Sequence, residues 1–199
     1  MKQWIFSVLT LFILVSTSCT NEKKYSDEKI PKKSIVELEK DLQESKDPLN
    51  KFYIESKIVN EYSSAPISSE SVKSAKSHAE ALLLQASNYT KDWNYGNALH
   101  HANLVLGRVS LIEGNTESAK NYLELASKTP GSPQLNSFGP NMTLAKELLE
   151  KKEKAAVLGY LDACAKFWVP NEAMGPVLDQ WKLEIAQGKI PDFNGNLKY

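Results

Sequence analysis

Catalysis needs side chains that hold protons, metals or nucleophilic electrons, and this chain has few of them. Its 199 residues include three histidines, His78, His100 and His101, and two cysteines, Cys19 and Cys164. His100 and His101 are adjacent, so on a helix they diverge by about 100° and cannot chelate one metal together. That divergence predicts one ring packed and the other exposed. His78 has no HExxH context, and no glycine-rich phosphate loop, GxSxG elbow or paired CxxC occurs. No catalytic residue or metal ligand is assigned, and the expectation is a non-enzymatic chain without a cofactor. Cys164 falls at an apolar helix position, where a thiol acts as a small hydrophobe.

Recognition is the other chemistry on offer. Trp93, Tyr95, Trp168 and Trp181 read first as anchors between packed helices. The stretch SPQLNSFGPNM, Ser132 to Met142, is stiff and partly apolar, and Pro130 and Gly131 precede it. Gly139-Pro140-Asn141 reads as a helix start, with proline suited to the first turn and Asn able to cap. Leu135 and Phe138 are then expected to plug the gap between successive helix pairs. A second reading makes the stretch one wall of a ligand groove.

The elements that must position these groups are helical. Ile35, Leu38 and Leu42 recur at helical spacing, and Asp47-Pro48 opens a second helix carrying Phe52, Ile58, Val59 and Tyr62. From about Ser69, Val72, Ala75, Ala79, Leu82 and Ala86 share one face. Ala98, Ala102, Val105, Val109 and Ile112 do the same in the next helix, which Gly114-Asn115 stops. MTLAKELLEKK, AAVLGYLDACAKFW and Val177 to Gln187 complete the series. No segment combines alternation with β-branched enrichment, so the fold class is all-α.

The helices repeat. TESAKNYLELASK aligns with KAAVLGYLDACAK, Tyr122 over Tyr160 and Leu123 over Leu161, and Lys128 and Lys166 are 38 residues apart. Gly107, Ala119, Leu123 and Ala126 have the small–small–large–small spacing with which this region, Asn94 to about Trp168, resembles the tetratricopeptide-repeat family. That family repeats every 34 residues; here the excess lies in the opening loop, and Asn103 and Ser110 replace its usual aromatics. The resemblance implies antiparallel helix pairs stacked as a short solenoid, with Gly107 packed close against Ala119. It also implies that leading helices line a concave surface. Asn94, Tyr95, Asn97, His101 and Arg108, with Phe138, are then the candidate partner-binding residues.

MKQWIFSVLTLFILVSTSC has an early lysine, an apolar run from Trp4 to Val15 and small residues before Cys19. The run has the length of a signal-peptide core and is shorter than the roughly 20 apolar residues of a membrane span. Ser-Thr-Ser-Cys resembles a bacterial lipobox, with Ser16 where Leu is usual, which implies lipid on Cys19 and membrane attachment through it. The expected organisation is a signal over 1–18, a polar tether over 19–33, short amphipathic helices over 34–66 and a helical-repeat domain over 67–199. Lysine plus arginine equal aspartate plus glutamate at 24 each, so no basic footprint points to nucleic acid. The functional expectation is a lipid-anchored scaffold on the extracytoplasmic side of a bacterial envelope, binding a protein or peptide. The rivals are an enzyme or small-molecule binder with a pocket near His101 and the Phe138 stretch, and a purely structural envelope component.

Overall fold

Several helices in this chain start where a side chain satisfies the first free N–H groups. The computed structural model describes residues 32–168 and 176–198; the expected signal, Cys19 and nearly all of the tether lie outside them. Ser34 caps α1 (Ile35–Glu44), accepting from the Glu37 N–H while the Glu37 carboxylate accepts the Ser34 N–H at 2.8 Å. Asp47 caps α2 (Pro48–Ser64) through the N–H groups of Leu49 and Asn50, and Pro48 fills the first position, where no N–H is needed. α3 (Val72–Ala86) and α4 (Tyr95–Ile112) follow, and Gly114, at φ 81°, closes α4. Asn115 caps α5 (Thr116–Ser127), as its position predicts. Then come α6 (Pro133–Phe138), α7 (Thr143–Glu150), α8 (Lys154–Cys164), α9 (Val177–Ala186) and a 3-10 turn, Asn194–Leu197. Among the described residues there is no strand, and the fold is all-α.

α4 is the axis. Buried residues run nearly all round it, apolar side chains and two glycines together with a polar stripe through Asn97, His101 and Arg108. It packs against α2, α3, α5 and α7, and the pairs α2/α3, α4/α5 and α7/α8 each pack together. Two apolar cores meet on it. Phe52, Ile58, Leu82 and Val105 belong to one; Leu104, Leu123, Leu144 and Leu161 belong to the other. Each such side chain contributes about 1.5–3 kcal/mol by leaving water. Cys164 lies inside the second core, and burial pushes its thiol up, far from reactive. The expected approach at Gly107 exists in part: an added Cβ would lie 3.4 Å from the Ala119 carbonyl oxygen. The tighter neighbour is Leu144 of α7, which that Cβ would strike.

The segment between α5 and α7 departs most from expectation. It is not a loop but the short helix α6, capped by Ser132, and it folds back against α4. Leu135 is buried at 1% exposure, whereas Phe138 is 58% exposed and plugs nothing. α6 ends at Phe138, and Gly139 turns at φ 88° against the Trp168 indole, where a Cβ would lie 2.5 Å from the ring. Trp168, not Phe138, is the ring buried against this turn. Asn141 sits one place before the α7 cap and accepts the Thr143 N–H at 2.9 Å.

Candidate functional site

Asn97 is where α6 is bolted to α4. Its Nδ2 donates to Asn94 Oδ1 at 2.9 Å and to Gln134 Oε1, and its Oδ1 accepts from the Ser132 hydroxyl at 2.5 Å. Thr129 adds a bond from its hydroxyl to the Gly96 carbonyl, 2.8 Å. Gly96 makes this possible: any Cβ there would run into the Gly131 carbonyl. The extra residues of the long inter-helix segment thus become a wall standing beside α4.

The facing wall is α2. Asn50, Tyr53, Ser56 and Asn60 recur at spacings of three and four, so they share one helix face. Between the walls lies a half-open cavity of about 680 Å³, lined by that α2 face with Lys57, by Trp93 and Asn94, by Asn97 and His101 of α4, and by Gln134, Leu135 and Phe138 of α6. The volume is in the usual range for a small-molecule site. Asp92 organises the α2 end of it. One carboxylate oxygen accepts from the Tyr53 hydroxyl at 2.7 Å, the other from the Asn94 N–H at 2.8 Å. Trp93 stacks on Tyr53, centroids 5.8 Å apart and planes at 26°, yet stays 52% exposed. It is a platform rather than the buried anchor expected of it; Trp168 and Trp181 are the buried anchors.

His101 is the one imidazole in the cavity wall among the described residues, and its protonation follows from its neighbour. The Ser63 hydroxyl gives its single hydrogen to the Asn60 carbonyl at 2.7 Å. Towards His101 Nδ1, 3.1 Å away, Ser63 Oγ can therefore only accept, so Nδ1 carries the proton. Burial, with His100 beside it, holds the His101 pKa well below 6.5, so the ring is neutral and Nε2 is a bare acceptor. Among the described residues Nε2 has no partner, and His101 is 8% exposed. A second acceptor, Asn60 Oδ1, is buried without a partner among the described residues. Nearby, Ser56 Oγ accepts from Asn94 Nδ2 at 2.8 Å, and its own hydrogen is left to give.

Of the six candidate residues, Asn94, Asn97, His101 and Phe138 meet in this cavity. Tyr95 and Arg108 do not. Tyr95 is one position off the stripe and packs on the α2–α3–α4 core. Arg108 continues the stripe beyond the cavity and is an internal clasp. Its guanidinium donates to the Tyr62 and Ala65 carbonyls at 2.6 and 2.8 Å and to the Glu147 carboxylate at 2.9 Å. The expected exposure of one adjacent histidine is also wrong. His100 is fully buried, bonded through Nδ1 to the Ala126 carbonyl at 3.0 Å, while Nε2 accepts the Asn141 N–H at 3.2 Å. Helix-to-helix contact surrounds α4 on all sides, so the ring that turns about 100° away from His101 still meets protein.

The α2 residues are what sequence reasoning missed. Their polar stripe is visible at helical spacing, but its use depends on α2 lying beside α4. A larger hollow, about 940 Å³, lies between α5 and α8. Its lysines are largely spoken for: Lys120 pairs with Glu117 and Glu153, and Lys128 with Glu124. Among the described residues no cluster of three His, Cys, Asp or Glu could hold a metal ion, and no helix is long and apolar enough to cross a membrane. Comparison of the chain with family models, with curated proteins and with solved structures found no match to any of them.

Proposed function

We propose that this chain is a lipid-anchored, non-enzymatic binding protein of the bacterial cell envelope, a short tetratricopeptide-like repeat that captures a partner in the α2–α4–α6 groove. The observation that carries the reading is the cavity itself, where Asn94, Asn97, His101 and Phe138 converge with an amide- and aromatic-bearing face of α2. Repeat architecture is supported by α4/α5 and α7/α8 packing as pairs and by the close fit at Gly107. Binding rather than catalysis is supported by the lining. Beside His101 no carboxylate, thiol or second imidazole lines the cavity among the described residues. The partner expected at such a groove is a protein or peptide. Envelope anchorage rests on the sequence at Cys19.

Two experiments test this. Cys19→Ala should abolish acyl modification and detergent partitioning; an unmodified wild-type chain in a soluble periplasmic fraction would refute the anchor. In a pull-down from detergent-solubilised membranes, Trp93→Ala and Phe138→Ala should lose material that the wild type retains. Equal recovery by both variants would remove the groove from the function. The enclosed volume and the spare nitrogen of His101 favour a second reading, in which the groove holds a small ligand.

A further inference from the structure

Resting on that small-ligand reading, we infer that the groove takes a neutral saccharide, held by its hydroxyl edge against α2 and α4 and by its C–H face against the exposed aromatic rings.

Three properties of the walls lead there. The first is charge. Among the described residues Lys57 is the only charged one lining the cavity, and the imidazole of His101 is neutral. A cationic ligand would leave water and find no carboxylate in that lining, and an anionic one would find only the exposed Lys57 at its edge, a cost that a neutral ligand escapes.

The second is the mixture of open hydrogen-bond valences. His101 Nε2 accepts, the Ser56 hydroxyl hydrogen is free to donate, and Gln134 keeps its amide donors. These groups come from three helices and follow no single alternation. An extended peptide offers one-way N–H and C=O groups in fixed order along its edge. A hydroxyl both donates and accepts, and rotates into whichever role its neighbour requires. A ring of hydroxyls therefore fits this wall where a peptide edge would leave mismatches, each costly once desolvated.

The third is the aromatic surface. Trp93 and Phe138 are the two exposed large rings of the cavity, at 52% and 58%, and they arrive on different elements. Trp93 is held in plane by its stack on Tyr53, which Asp92 pins. Rigid, half-exposed rings of this kind are suited to a ligand with one apolar face and one wet edge. A sugar ring has both.

The test presents the full chain, solubilised from membranes, to an array of neutral and acidic oligosaccharides and to an array of end-blocked pentapeptides. Retention of neutral oligosaccharides is expected, about tenfold weaker or worse in Trp93→Ala and Phe138→Ala. Phe138→Tyr, which keeps a ring, should restore it. Both alanine variants alter exposed side chains, so their unchanged melting temperatures certify the fold. Retention of pentapeptides with the same sensitivity to the two variants would overturn the saccharide while leaving the groove as a binding site. Retention of acidic oligosaccharides alone would overturn the neutral ligand. No retention sensitive to either variant would overturn both the ligand and the groove.

Discussion

His100 and His101 are consecutive residues of one helix, yet they serve two opposite regions. Around His100 every valence is used. Asn141 is the hub there: its N–H meets His100, its carbonyl accepts from the Tyr160 hydroxyl at 2.9 Å, and its side chain reaches Ser64 at 2.8 Å. That junction ties α2, α4 and α8 together, with His100 and Asn141 fully buried in it. Around His101 the bonding stops halfway, with Nδ1 held by Ser63 and Nε2 left over at a cavity wall. Identical chemistry becomes a rivet in one place and an open contact in the other. Recognition is to be sought where a rigid scaffold leaves polar valence unspent, and on this chain that is the α2–α4–α6 groove.

The sharpest way to break this contrast is through α6, which carries one buried and one exposed apolar side chain. Leu135→Ala removes a buried side chain and should cost about 3–4 kcal/mol. Phe138→Ala, at an exposed position, should stay within about 0.5 kcal/mol of wild type. Urea melts of the two variants decide it, and equal destabilisation would mean that Phe138 is structural after all.

Acid should expose the sealed side next. Burial lowers His100 to about 4, while the unfolded chain protonates near 6.5. Between those values the unfolded state binds more protons, so stability falls as pH drops from 6.5 to 4. The loss from His100 is roughly 3 kcal/mol, and His101, also lowered, adds in the same direction. His100→Gln should flatten the acid limb of a stability–pH curve; an unaltered limb would mean that His100 is not held neutral.

Gly96→Ala sits between the regions. Its Cβ would displace the Gly131 carbonyl and with it the base of the α6 wall. Destabilisation of about 2 kcal/mol is expected, together with loss of groove binding. A stable variant that still binds would show that the wall yields freely.

The smallest effect lies at α1, outside both regions. His78 bridges Glu55 at 2.5 Å and Glu39 at 3.3 Å, and its pKa is raised, chiefly by the Glu55 hydrogen bond. Its contribution is full below 6.5 and fades as pH rises through the folded value, opposite in sign to His100. Glu39→Gln should reduce that alkaline drift, measured as the protection of α1 amides from hydrogen exchange.

Most of the architecture was legible from local rules. Asp47-Pro48 and Gly114-Asn115 mark helix ends because capping is decided within a few residues. Asn94, Asn97 and His101 could be placed together because three- and four-residue spacing puts them on one face. What failed was non-local. Leu135 and Phe138 are both apolar and three residues apart, and spacing alone does not say which of them is buried. Arg108 belongs to the same stripe by spacing, but α7 brings Glu147 to it and closes that end. The α2 face carries its amides in plain view, and nothing local says that α4 lies opposite.

The most direct measurement places a photo-reactive side chain in the groove. Phe138→benzoylphenylalanine is irradiated in intact membranes beside Leu84→benzoylphenylalanine, whose position on α3 is 75% exposed and outside the cavity lining. A groove site predicts a discrete adduct from position 138 that position 84 does not form, and that Trp93→Ala in the same chain diminishes. No adduct from position 138, or the same adduct from both positions, would contradict it.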